Sequence, residues 1–179
     1  FTGRGANVNT QQDPRRHEGT GWSILHHAAV HGNVPRITWI LNKGALVDLA
    51  TGEGETPLMM AAKAGATRGV QYLLEYNASV NKTCFKGWTP LHYAGSVGAL
   101  DCAALILRAG ASKNARTVGT VLTPSDLAKN AGHSDTFSLI KLYKEPETPV
   151  REVFEAMRDA DADKPPKSGV RALASSLGL

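Results

Sequence analysis

Apolar residues recur along this chain in short bursts whose register repeats. Leu25, Leu58 and Leu91 stand 33 residues apart, and so do Ala28, Ala61 and Ala94; Gly21, Gly54 and Gly87; and Gly32, Gly65 and Gly98. Asp48, Asn81 and Asn114 keep the same step. A fourth unit follows after one extra residue, since Ala94 to Ala128 and Gly98 to Gly132 are each 34. Several columns in one register define an internal repeat. Within a unit, Thr56-Pro57 and Thr89-Pro90 predict a helix start, with Thr as the cap and Pro at the first helical position, where its missing N–H costs nothing. Gly65 and Gly98 predict its end, so Leu58 to Ala64 and Leu91 to Val97 allow about two turns. In the third unit Leu100, Ala103, Leu105, Ile106 and Leu107 predict the apolar side of a second helix that Gly110-Ala111 ends. The polar, turn-rich stretch from Asn81 to Gly87 predicts a hairpin-like loop. A helix pair of this size cannot bury its apolar stripe alone, so the units must stack into a solenoid.

These residues carry a family resemblance. Thr89-Pro-Leu-His-Tyr-Ala94 resembles the T-P-L-H-x-A signature of ankyrin repeats, and Thr56-Pro-Leu-Met-Met-Ala61 resembles it with Met59 in place of His. Ser23-Ile-Leu-His-His-Ala28 keeps Leu, His and Ala; Thr123-Pro-Ser-Asp-Leu-Ala128 keeps Thr-Pro and Ala. The resemblance covers roughly residues 18 to 144. It implies an all-α ankyrin solenoid of helix-turn-helix units joined by β-hairpin loops, with four repeats at about 21–53, 54–86, 87–120 and 121–144. It also implies that His26 and His92 tie loop backbone to helix.

Upstream, Gly5-Ala6-Asn7-Val8-Asn9 repeats the unit ending of Gly110-Ala-Ser-Lys-Asn114, so residues 1–9 read as the end of a truncated preceding unit. Asn9 to Gly21 is six residues longer than Asn81 to Gly87, which makes 10–20 an extended hairpin insertion. Downstream, Glu145-Pro-Glu-Thr-Pro149 ends the repeat. Val150, Val153, Phe154 and Met157 then fall at i, i+3, i+4 and i+7, one face of an amphipathic helix, and Val170, Leu173, Ala174 and Leu177 repeat that spacing. Residues 145–179 thus read as a helical C-terminal extension, expected to cap the last unit around Leu139, Leu142 and Tyr143.

Composition narrows the classes. The chain has 179 residues, 42% of them hydrophobic, with net charge +4 and two cysteines. Charged residues such as Arg36, Lys43, Lys63, Arg68, Glu75, Asp101 and Arg108 break every long apolar run, which argues against a membrane-spanning helix. Cys84 and Cys102 are too few for a disulfide scaffold, so an intracellular, cytoplasmic location is expected, with the nucleus left open. The chain opens on Phe1, not Met, and reads as a processed or excised piece.

Candidate chemistry is sparse, and neither catalytic residue, metal nor cofactor is expected. His27 and His31 have metal-ligand spacing, but Ala28 stands where a zinc protease needs Glu, and no third ligand is in register. Asp159, Asp161 and Asp163 imitate an EF-hand start, but Lys164 and Val170 occupy the positions that need Gly and Glu. Gly52-Glu-Gly54 is a hairpin turn without the Lys-Ser/Thr of a phosphate loop. Cys84 has Lys82 and Lys86 nearby to favour a thiolate, but no sequence-adjacent His base. Asn77-Ala-Ser79 and Asn81-Lys-Thr83 match the glycosylation sequon, a short pattern that arises by chance.

The resemblance also implies a concave binding surface of hairpin tips and inner helices. The columns place Trp22 and His31 of the first unit there, Glu53, Glu55 and Lys63 of the second, Phe85, Lys86 and Trp88 of the third, and Arg116 and Asn130 of the fourth. Trp22, Phe85 and Trp88 occupy columns that normally face solvent, and aromatic anchors beside Arg or Lys are characteristic of interface hot spots. Residues 1–144 carry +6 and 145–179 carry −2. Asp48, Glu53 and Glu55 make one end of the groove acidic, while Lys82, Lys86, Lys113 and Arg116 make the other basic. That polarity suits a protein or peptide partner better than a nucleic-acid duplex, which needs a continuous basic stripe. The expected function is therefore a non-enzymatic protein-interaction module, monomeric in isolation. The alternatives are a regulatory or targeting arm of a larger enzyme, and a binder of an acidic surface such as nucleic acid or anionic membrane.

Overall fold

The computed structural model describes residues 7–11 and 21–144; most of the truncated unit expected at 1–9, most of the insertion expected at 10–20, and the extension at 145–179 with the capping predicted for it lie outside the described residues. Eight helices follow in pairs: α1 (Ile24–Val30) with α2 (Val34–Asn42), α3 (Pro57–Lys63) with α4 (Thr67–Glu75), α5 (Pro90–Val97) with α6 (Leu100–Arg108), and α7 (Pro124–Asn130) with α8 (Ser134–Leu142). The inner helices stack in the order α1, α3, α5, α7 and the outer helices in the order α2, α4, α6, α8. This is the repeat solenoid that the register predicts.

Each inner helix starts where the sequence says it should. Thr56, Thr89 and Thr123 are extended N-caps followed by Pro at the first helical position. Short helices of this kind have little intrinsic stability, so packing of one face must hold them. The face is supplied by the repeat columns: Leu25, Leu58 and Leu91, together with Ala28, Ala61, Ala94 and Ala128, are all buried. Each buried leucine contributes about 2 kcal/mol on the transfer scale. At the end of α5, Gly98 adopts a left-handed φ of 69°, which reverses the chain into α6 at no steric cost.

The apolar side of α6 differs in detail from its prediction. Cys102, Ala103, Ile106 and Leu107 are buried, whereas Leu100 opens the helix exposed and Leu105 is half-buried. Leu100 belongs to the first turn and points off the core stripe, while Cys102 behaves as a small hydrophobe within it.

Two polar columns bind the units to one another. Asn81 accepts from Ser112 N–H at 2.8 Å and donates to Gly110 O at 3.1 Å. Asn9 makes the same pair of bonds, to Leu46 N–H at 2.8 Å and Gly44 O at 3.4 Å, and Asp48 accepts from Ser79 N–H at 3.0 Å. The Asn81 amide is thus committed to the loop backbone, which favours the structural over the sequon reading.

The second column is the histidine. Thr89 N–H and Thr89 O–H both donate to His92 Nδ1, at 3.1 and 2.8 Å. An amide N–H can only donate, so Nδ1 must accept and the proton sits on Nε2, which donates to Leu122 O at 3.2 Å. His26 repeats this with Ser23 and with Glu55 O at 3.2 Å. Both rings join a helix start to the next unit's hairpin, as the resemblance implied.

The hairpin loops close through Thr51 N–H to Glu55 O, Cys84 N–H to Trp88 O and Thr117 N–H to Leu122 O. Successive loops share single backbone bonds, Phe85 N–H to Glu53 O at 3.1 Å and Val118 N–H to Lys86 O at 3.0 Å. Among the described residues the only β pairing is an isolated bridge between Gln11 and Ser23. The contact between loops is close enough to exclude a side chain at Gly87, where a Cβ would lie 2.7 Å from Val118 N.

Candidate protein-binding surface

The third and fourth hairpins carry exposed apolar groups, as do Trp39 on α2, Leu46 after it and Leu142 on α8. Phe85 is 74% exposed, Val118, its equivalent one unit later, 72%, and Val121 51%. Phe85 Cδ1 would lie 3.2 Å from a Cβ on Gly54, and Val118 Cγ2 2.9 Å from one on Gly87, so each tip side chain leans over the glycine of the preceding hairpin. Glu53, Lys86 and Arg116 are exposed around them.

Behind the tips the residues of units two and three converge. Tyr93, only 5% exposed, donates its O–H to Glu55 Oε1 at 2.8 Å. Cys84 Sγ lies 3.5 Å from the same hydroxyl, and because that O–H is directed at Glu55, the thiol is the donor. Lys63 Nζ sits 3.6 Å from Glu55 Oε1 and 5.7 Å from the centre of the Tyr93 ring. Burial, with the Glu55 carboxylate that accepts its O–H, pushes the Tyr93 hydroxyl far above the ordinary tyrosine range, so it stays protonated and serves as a structural donor. Trp88 packs on Tyr93 with ring centres 5.0 Å apart and on His92 at 6.3 Å. Trp22 does the same on His27 at 4.9 Å and His26 at 6.4 Å.

The two tryptophans are less exposed than Phe85. Both are half-buried against their own inner helices and do not stand free in solvent. Each packs on ring residues near the start of its inner helix and stays partly exposed. Phe85 is the aromatic that projects.

Of the predicted residues, Glu55, Lys63 and Trp88 come together through Tyr93, and Glu53, Phe85 and Lys86 lie on adjoining tips. His31, the C-cap of α1, and Asn130, the last residue of α7, are exposed at opposite ends of the row of inner helices and do not join this cluster. Arg116 is exposed at the base of the fourth hairpin. Lys82 and Lys113 are occupied locally, donating to Asp48 O at 3.1 Å and Tyr143 O at 2.7 Å. The sequence reasoning missed Tyr93 and Val121. Tyr93 is the variable residue of its T-P-L-H-x-A motif, and its large polar ring was the available signal.

Cys84 is buried and hydrogen-bonded, which removes the exposure that a reactive thiol at the hairpin would require. A cleft of about 260 Å³ lies at the opposite end of the inner helices, between Lys63, Gly65, Thr67, Val97, Leu100 and Asp101. Among the described residues no three His, Cys, Asp or Glu side chains gather as metal ligands, and no helix is long and apolar enough to cross a membrane. Every buried polar side-chain atom there has a hydrogen-bond partner.

The family model for ankyrin repeats (3 copies) matches residues 2–84 and again 25–117, together more than half of the chain. Comparison with the curated proteins finds no match.

Proposed function

This chain belongs to the ankyrin-repeat family, and we propose that it acts as a non-catalytic module that binds another protein through its hairpin tips and inner helices. Ankyrin repeats are generally protein–protein interaction modules, and the finer reading concerns where this one binds. The observation that carries it is Phe85, an aromatic side chain three-quarters exposed on a tip whose backbone is fixed by bonds on both sides. Exposing an aromatic ring of this size forgoes about 2 kcal/mol of burial, which a partner can recover on a rigid, low-entropy platform. Partly exposed Trp88 continues that platform, with Lys86 exposed in the same hairpin, Arg116 exposed in the next and Trp22 two units away.

The test is quantitative affinity purification from the native cell with the wild-type chain and the Phe85→Ala/Trp88→Ala double variant. Loss of the specific partners by the variant, with its helical circular dichroism retained, supports the reading. Recovery of the same partners in equal amounts overturns it. Trp88→Ala alone will also loosen Tyr93, so Phe85→Ala is the cleaner single variant.

A further inference from the structure

The tips of the third and fourth hairpins differ from those of the second in a coordinated way. The second hairpin has Gly52, Glu53 and Gly54 where the third has Phe85, Lys86 and Gly87 and the fourth has Val118, Gly119 and, after its extra residue, Val121. Phe85 and Val118 step along the stack, each lying over the preceding glycine, and Lys86 lies between them, its carbonyl held by Val118 N–H. Val121 takes the column of Gly21, Gly54 and Gly87, and keeps their left-handed backbone with φ 53°. For a β-branched residue that conformation is strained, and the side chain gains little packing in return, being half exposed. A strained, solvent-facing valine costs stability without supporting the fold, so it points to use by a ligand.

Resting on the reading that this face binds a protein, we propose that the third and fourth hairpins form an apolar step for an acidic segment bearing apolar anchors. Phe85, Val118 and Val121 take the anchors, while Lys86 and Arg116 take the carboxylates. The charge of the surface selects that occupant. Lys86 and Arg116 are exposed in the third and fourth hairpins; the acid Glu53 lies in the second hairpin, and Asp126, which feels the charge of Arg116, is already held by Thr123. Basic segments would meet like charge at Lys86 and Arg116, which costs specificity at an interface. A bare polyanion would leave the three apolar side chains in water.

The experiment selects binders from a random peptide display library on the purified chain, then measures the selected peptides by fluorescence anisotropy. The selected sequences should be enriched in Asp or Glu together with Leu, Ile or Phe. Their binding should be weakened about tenfold or more by Phe85→Ala/Val118→Ser, and by Lys86→Glu/Arg116→Glu. Val121→Gly gives the most distinctive outcome, a raised melting temperature with weakened binding, which a purely structural role for Val121 does not produce. Selection of basic or wholly polar sequences, no enrichment at all, or equal binding by the charge-reversed variant overturns the proposal. Tighter retention on phosphatidylserine vesicles than on the selected peptides also overturns it, in favour of a membrane surface. If Lys86→Glu/Arg116→Glu retains native partners that Phe85→Ala/Trp88→Ala loses, this proposal falls while the general reading of a protein-binding face stands.

Discussion

Replacing His92 by Met should cost about 1 kcal/mol of folding stability, and replacing it by Ala about 3 kcal/mol, with a matching change in pH dependence. His92 is fully buried and makes three hydrogen bonds, two received at Nδ1 from Thr89 and one given to Leu122 O. Unit two already contains the methionine version: Met59 Sδ accepts from Thr56 N–H at 3.4 Å and makes no imidazole link to the next hairpin. His92→Met should therefore keep a weak acceptor for Thr89 N–H and lose mainly the bond to Leu122, worth about 1 kcal/mol. Alanine leaves the buried Thr89 N–H without a partner and opens a cavity, and the two terms together reach about 3 kcal/mol.

The pH dependence follows from the same geometry. Burial lowers the imidazole of both His26 and His92 below the ordinary value of 6.5, and a proton added at Nδ1 would face the donating backbone N–H. The unfolded chain then binds more protons than the folded one below pH 6.5. Stability from these rings is full above that value and is lost as pH falls toward their lowered folded values, by at most about 1.4 kcal/mol per pH unit for each ring. Urea denaturation across about pH 5 to 8 should show this slope, and His92→Met should roughly halve it. Asp126 works in a separate window: bonds from Thr123 lower its carboxyl, so its contribution is lost only at more acidic pH. A stability that is flat or rises as pH falls below 6.5, or a slope unchanged in His92→Met, refutes the reasoning.

Other changes test the hairpins and the core. Val121→Gly should stabilise the chain by about 0.5 to 1 kcal/mol, because relief of a strained φ exceeds the added freedom of the unfolded chain, as thermal or urea melts can check. Gly87→Ala should destabilise by about 2 to 3 kcal/mol in the same melts, since the new methyl meets Val118 N at 2.7 Å in a left-handed backbone. Cys84 and Cys102 are buried, and burial raises the Cys102 thiol above its ordinary value, so alkylation by iodoacetamide should track unfolding; rapid labelling under native conditions would contradict the burial of both.

The parts of this architecture that were legible in the sequence are those set by local chemistry at a fixed period. Thr-Pro fixes a helix start, a glycine that must reverse the chain fixes its end, and the Leu and Ala columns fix the buried face. The histidine bridge was legible only through the family resemblance, because Leu122 is 30 residues from His92. The Tyr93–Glu55 bond joins residues 38 apart in neighbouring units, and neither residue announces the other. The packing of Trp22 and Trp88 on their own helices was not legible, because column position reports the backbone's place in the unit. It does not report which way a large ring folds back on its own helix. The strain at Val121 needed both the 34-residue spacing and the backbone angle, and the sequence supplied only the first.

The central claim, that the tips of the third hairpin and not the outer helices meet the partner, is tested most directly by site-specific photo-crosslinking in the native cell. A benzophenone side chain is placed at position 85 in one protein and at position 68 in another, since Arg68 is exposed on α4, an outer helix. The account predicts a discrete crosslinked protein from position 85 and none of that species from position 68. The same crosslinked species from position 68 alone, or none from position 85 while the partner still co-purifies, would contradict it.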